Sequence, residues 1–337
     1  MDVDLWFKPT SDNPDLARIT SLSTLCRSIT AFYPSVLDDE RSGLKARLIG
    51  HLSSSDVVHV FRFQEFVRSI SHSCIVWDID ELPWPLRHPD GNAGQRPLPS
   101  DQLERLRTTF AHCVSKCRAI IGCSRLERPT NCAEFTVVPN VVRCPSPAGA
   151  AAAVKDGSLL FVGNFNHVPN VDGLAFFKDQ VLPLLDGILP KVQVVVVGRS
   201  PVTDGAQSAV AQLQQGGRFR FEFDVPDCAP YYARSAASIA PIRFGGGTRV
   251  KIIESFAHRC PVVSTAKGCE GLDVEHGKQL LIADSPAEFA QACADLLRSP
   301  PLRQQIANTA YSFYEREHSQ EIVNTLLVST IGKLSHH

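Results

Sequence analysis

The strongest constraint on this chain is a rhythm: short apolar runs closed by glycine, proline or aspartate alternate with longer segments of helical period. The apolar runs include "DVVHVF" (56–61), "CIVWDI" (74–79), "AIIGCS" (119–124), "FTVVP" (135–139), "LLFVG" (159–163), "VQVVVVG" (192–198), "FRFEF" (219–223), "ASIAPI" (237–242) and "CPVVST" (260–265). Several are apolar at consecutive positions, as expected of strands covered on both faces, and such strands belong to parallel sheets flanked by helices. Helices are predicted at 41–52, 101–117, 172–186, 204–215, 249–258 and 286–298, with a long final helical stretch over 301–331.

The rhythm stops once. Residues 143–157 carry prolines, glycines and an alanine run, "RCPSPAGAAAAVKDG", and read as a linker. The expected organisation is an N-terminal unit over 1–142, a C-terminal unit over 158–310, and a last helix over 311–337 that returns to the first unit. At about 150 residues per domain, 337 residues suit two domains. Ligands of open parallel sheets bind at the carboxyl ends of the strands, so a site is expected there.

Bulk chemistry narrows the partners. The chain has 34 basic and 35 acidic side chains, which offers nothing to nucleic acid. No run of about 18 apolar residues occurs and the N-terminus lacks the order of a signal peptide, so a cytoplasmic protein is expected, with peripheral contact at the inner face of the membrane left open. The eleven cysteines are odd in number and contain no C-x-x-C pair, and they read as reduced thiols. Cys113 and Cys117, one helical turn apart, read as small core residues.

Within "APIRFGGGTRVKIIESFAHRCP" (240–261), three consecutive glycines precede a predicted helix that has Thr248 as its N-cap and is stopped by Pro261. Glycine lets backbone approach a ligand, and free N–H groups at a helix start favour an anion, most often phosphate. Helical phasing places Val250, Ile253 and Ala257 against the sheet and leaves Lys251 and Glu254 together on a neighbouring face. Lys251 can then reach an anion, and Glu254, a turn deeper, can accept from a diol. Diphosphate followed by ribose fits that order. The plainer reading is a surface pair, Lys251 with Glu254, beside a tight loop.

This segment, together with "LLFVGNFNHVPNVDGLAFF", "VQVVVVGRSP" and "GKQLLIADSPAEFAQACADLL", resembles the donor half of retaining GT-B glycosyltransferases, in particular the large bacterial nucleotide-sugar group called glycosyl transferases group 1. The resemblance spans roughly 158–298 and implies an α/β fold with two Rossmann-like domains, their parallel sheets facing across a cleft. It implies a donor site of Gly163, Asn164, Arg199, Gly245, Gly246, Gly247, Thr248, Arg249, Lys251 and Glu254, with Asp80, Arg249 and Lys251 as catalytic candidates. The family has two glutamates in this segment. Glu254 matches the second, the ribose ligand, and the first is replaced by Gly246. The family's basic pair after the first strand of this half is also absent from Gly163–His167, which shifts diphosphate neutralisation to Arg249 and Lys251, with His167 a weaker candidate. Where members carry a His-Asp pair in the N-terminal half, this chain has Asp80-Glu81.

The implied reaction moves a sugar, with retention, from a nucleoside-diphosphate sugar to a hydroxyl of a saccharide or lipid-linked acceptor, in polysaccharide or glycolipid synthesis. The implied class uses no cofactor and no metal, although Asp78-Ile79-Asp80 has the spacing of a metal-binding D-x-D triplet. Against the family pattern, "VDLWFKP" and residues 15–34 read as the second strand and helix of the family, so the opening strand-loop-helix is expected to be missing. Two other readings stay open: a non-catalytic nucleotide-sugar-binding or partner protein of this fold, and a sugar-nucleotide epimerase or hydrolase drawing on His59, Asp78, Asp80 and Glu81.

Overall fold

The computed structural model describes residues 4–7, 28–31, 58–61, 67–68, 74–79, 83, 86, 97–142, 156–246 and 250–334. Among them lie three sheets, every strand pair of which is parallel. The predicted helix 41–52 and residues 143–155 of the predicted linker fall outside the described residues.

Strands β1 (Asp4–Phe7) and β2 (Ser28–Ala31) form a two-stranded sheet with Asp4 opposite Ser28. This corrects the helix expected over 15–34: at 28–31 the backbone is a strand, and the β-branched pair Ile29 and Thr30 suits that conformation. The second sheet has the order β3 (Val58–Phe61), β4 (Ile75–Asp78), β5 (Ala119–Gly122), β6 (Phe135–Val137). Helix α1 (Ser100–Lys116) joins β4 to β5 and buries Leu103, Phe110, Cys113 and Val114. Cys113 is in the core, as expected, and all nine described cysteines are free thiols.

The third sheet begins with β7 (Leu159–Val162), which leads through α2 (Val168–Phe176), a π-helical turn (Phe177–Val181) and α3 (Leu182–Ile188) to β8 (Val194–Gly198). The helical segment thus starts earlier and ends later than the predicted 172–186, and Pro169 in its first turn suits a helix start. Then come α4 (Asp204–Gln214), β9 (Phe219–Phe223), the short α5 (Ala229–Arg234), β10 (Ala237–Ala240), α6 (Val250–Ala257), β11 (Val262–Ser264) and β12 (Leu281–Ile282). The sheet order is β12-β11-β10-β7-β8-β9. The chain therefore fills one side from β7 to β9, then returns to fill the other from β10 to β12. The reversal, between β7 and β10, is the topological switch point where open sheets bind ligands.

Helix α7 (Pro286–Arg298) starts with a complete capping box: the Ser285 hydroxyl accepts from the Glu288 N–H and the Glu288 carboxylate accepts from the Ser285 N–H. Ser285→Ala removes that reciprocal pair and is expected to cost about 1 kcal/mol, readable as a fall in urea midpoint with unchanged slope.

The predicted final helix is two: α8 (Pro300–Glu317) and α9 (Gln320–Leu334), broken at His318, whose Nδ1 bonds the carbonyl of Asn140 at 3.0 Å. The Tyr314 hydroxyl donates to the carbonyl of Val142 at 2.9 Å, and Leu327 of α9 packs on Cys74, Val76, Ala119 and Ile121 of the second sheet. The end of the chain is thereby fastened to the elements around residue 140 and to β4 and β5.

Candidate donor site

At the switch point, β7 ends in the turn Gly163-Asn164 and β10 leads to the segment Pro241–Gly246, before α6 begins at Val250. Gly245 and Gly246 are buried, and Gly245 has a φ of 101°, a conformation side chains seldom tolerate. Gly247, Thr248, Arg249 and Asp80, four of the predicted site residues, lie outside the described residues.

Helix α6 packs through Ile252, Ile253, Phe256 and Ala257. Val250, expected on the packed face, is 44% exposed: it opens the helix at the rim of the sheet, and Phe256 takes the inner position by meeting Phe313 of α8 edge-on at 6.1 Å. Lys251 and Glu254 are half-buried and point to different elements. The Lys251 ammonium donates to Asn170 Oδ1 of α2 at 2.7 Å and stands 4.1 Å from the centre of the Phe161 ring. The Tyr232 hydroxyl of α5 donates to Glu254 Oε2 at 2.9 Å. Those contacts tie the two charged side chains of α6 to α2 and to α5, and Lys251 also acts electrostatically on Glu254.

The environment of Glu254 is unusual for a carboxylate. Burial pushes its pKa above 4.5, the Tyr232 hydroxyl pulls it down, Asp227 raises it and Lys251 lowers it. Beneath it, Tyr232 is fully buried and stacks on His258 with ring centroids 5.1 Å apart and planes 8° from parallel. Burial drives His258 below the ordinary histidine value and the Cys228 thiol up to about 11. Glu254 thus has the Tyr232 hydroxyl as hydrogen-bond partner, with Cys228, Asp227 and Lys251 near enough to interact with it electrostatically.

Asn164 is exposed and its side-chain oxygen accepts from the N–H of Asn166 at 2.9 Å, while its carbonyl accepts from Asn170 Nδ2 at 2.9 Å. Arg199 is exposed at the end of β8. Next to it, Asp224 accepts from the hydroxyl and the N–H of Ser200, and these bonds, with Arg199 adding a smaller pull, hold the Asp224 carboxyl below 3.8. Asn166 ties the two loops together by donating to the Ser200 carbonyl at 3.2 Å and accepting from the Val202 N–H at 2.9 Å. Asn164 and Lys251 are therefore linked through one side chain, Asn170, with Glu254 a turn beyond and Arg199 just past the end of the neighbouring strand β8. Asn170 and Tyr232 were not among the predicted site residues. The asparagine sits in a stretch that resembles the family, but its buried position in the first turn of α2 is a tertiary fact.

Among the described residues, no group of three or more histidine, cysteine, aspartate or glutamate side chains could hold a metal ion. Asp78 is half-buried at the end of β4. No helix among the described residues is long and apolar enough to cross a membrane.

The family of glycosyl transferases group 1 matches residues 156–299, which is β7 to α7 and contains the whole switch point. This part of the chain is similar to that family. An uncharacterized 44.6 kDa protein from the cps region of Klebsiella pneumoniae is 25% identical over 170 residues, covering 49% of this chain and 44% of the relative. The chain thus matches less than half the length of that relative. Among solved structures, HepE of Anabaena in complex with UDP and glucose superposes over 98% of this chain and 99% of its own, with a TM-score of 0.69 and 15% identity. TarM of S. aureus, in complex with UDP, fondaparinux and alpha-GlcNAc-glycerol, superposes over 86% of this chain and 58% of its own, with a TM-score of 0.65 and 11% identity. The fold is the GT-B glycosyltransferase fold of parallel α/β sheets.

Proposed function

We propose that this protein transfers a sugar from a nucleoside-diphosphate sugar to an acceptor hydroxyl. The observation that carries the reading is the pairing of a held ammonium, Lys251, with a half-buried carboxylate, Glu254, one helical turn apart over the switch point of a group 1 glycosyltransferase segment. Departure of the diphosphate is the step that develops charge. Lys251, the N-terminal end of α6 and the backbone of Gly245 and Gly246 supply fixed positive potential for it, and Arg249 adds a second cation. Glu254 accepts from the ribose hydroxyls. The arrangement needs no metal for charge neutralisation, and the reading includes retention, by family resemblance.

A saccharide or lipid-linked acceptor, and a role in polysaccharide synthesis, follow the relative from a cps region and the carbohydrate and UDP complexes of the neighbours. Residues 143–157 are read as the linker between acceptor-side and donor-side domains, and Asp80 of the first is kept as a catalytic candidate from the sequence pattern. The direct test is a thermal-shift screen against UDP, GDP and ADP sugars. A ligand at a hundred times its Kd adds about 2.7 kcal/mol to the folded state, a rise of several degrees in Tm. Flat melting curves with all three classes overturn the transferase reading.

A further inference from the structure

We propose that Asn170 is the positioning residue of the donor site: its side-chain amide fixes Lys251 of α6 to the Gly163-Asn164 turn, so that the ammonium meets the diphosphate already oriented. The inference rests on the transferase reading. Asn170 is only 7% exposed, and its two polar ends are both used. An ammonium can only donate, so the amide oxygen must face Lys251, and the nitrogen then faces the Asn164 carbonyl, which can only accept. No flipped amide satisfies both neighbours. The helix that carries Asn170 is itself held in register: Asp172 accepts from the Arg243 guanidinium through both oxygens, at 2.9 and 2.5 Å, and Arg243 lies in the segment between β10 and the glycines. The Phe161 ring, 4.1 Å away, gives the ammonium a second attractive surface.

A neutral amide is the chemistry this position requires. A carboxylate would bind Lys251 more tightly, but its negative charge would offset that of the ammonium and repel a diphosphate. An apolar side chain would leave the Asn164 carbonyl without this donor and release Lys251, a flexible chain with Glu254 three residues along the same helix face, to swing towards that carboxylate. The diphosphate neutraliser and the ribose acceptor would then be occupied with each other. Asn170 holds them apart while leaving both charged.

The test is isothermal calorimetry on the full chain, using whichever of UDP, GDP and ADP raises the melting temperature, and its parent nucleoside as control. Asn170→Ala is expected to weaken the diphosphate about tenfold and the nucleoside less, because the lost phosphate contact is felt by the diphosphate alone. Asn170→Asp, the same size, is expected to weaken the diphosphate further, and it carries the test if the alanine variant does not fold. In a Lys251→Ala background, Asn170→Ala should add no further loss. Equal losses for diphosphate and nucleoside, or a full loss that persists without Lys251, overturn the assignment and make Asn170 a packing residue. If Lys251→Ala weakens the diphosphate while both Asn170 variants bind like wild type, the Asn170 assignment alone fails. If the wild-type protein binds none of the three diphosphates, the transferase reading fails and takes this one with it.

Discussion

Glu254→Gln is expected to lose nucleotide affinity while the unliganded protein stays as stable as before or becomes more stable. The two effects come from the same burial. A carboxylate accepts from ribose hydroxyls with charge assistance, and replacing it by an amide costs about 1.5–3 kcal/mol, roughly 10- to 150-fold in Kd. In the absence of ligand the same carboxylate is held above its ordinary value of 4.5, chiefly by burial. A raised carboxyl pKa means that the folded state binds the proton more tightly than the unfolded chain does. Stability therefore falls as pH rises from 4.5 through the folded value, and the cost is fully present above it. Glutamine removes that cost and still offers the Tyr232 hydroxyl an acceptor. Calorimetric titration of the diphosphate, with urea unfolding at pH 4 and pH 7, checks both halves. A variant that binds as tightly as wild type, or that is clearly destabilised at pH 7, would make Glu254 a structural residue.

That opposition between stability and binding also shows how far the sequence could be read. The strands of the third sheet were visible because parallel strands buried on both faces leave near-continuous apolar runs, as in the four valines of β8. Lys251 and Glu254 were visible because helical phasing separates them from the packed residues. Their partners were not. Asn170 is 81 positions from Lys251, and Tyr232 is 22 from Glu254. Nothing in local pattern distinguishes a buried asparagine that orients a lysine from one that caps a turn. The short α5 and the two-residue β12 carry too few residues for a period, and the break at His318 depends on a carbonyl 178 residues away. Val250 was misplaced because phasing gives a direction around the helix and cannot say how far the sheet extends beneath its first turn.

Gly198→Ala is expected to be among the most damaging single-methyl additions in the protein. A Cβ at Gly198 would stand 1.8 Å from the carbonyl oxygen of Gly163 and 2.9 Å from its carbonyl carbon. Neither atom can rotate away, because both are backbone. The strand ends are also stapled where the methyl would enter: the Gly163 N–H donates to the Val197 carbonyl at 2.9 Å, and the Gly198 carbonyl accepts from the Asp224 N–H at 2.8 Å. Relief requires the end of β8 to peel from β7, which sacrifices the Gly163–Val197 bond and strains the one from Asp224 on the β9 side, so the cost belongs near the upper end of the usual 1–3 kcal/mol for overpacking. At about 2–4 °C per kcal/mol, scanning calorimetry should show Tm lower by about 6–12 °C. The displaced atoms are those of the Gly163-Asn164 turn, to which Asn170 ties Lys251, so diphosphate affinity should fall with stability while Glu254 and its tyrosine are untouched. A variant melting within about 1 °C of the parent would mean that β7 and β8 do not approach as closely at their ends as the geometry requires, and the turn that anchors Asn170 would then have to be placed elsewhere.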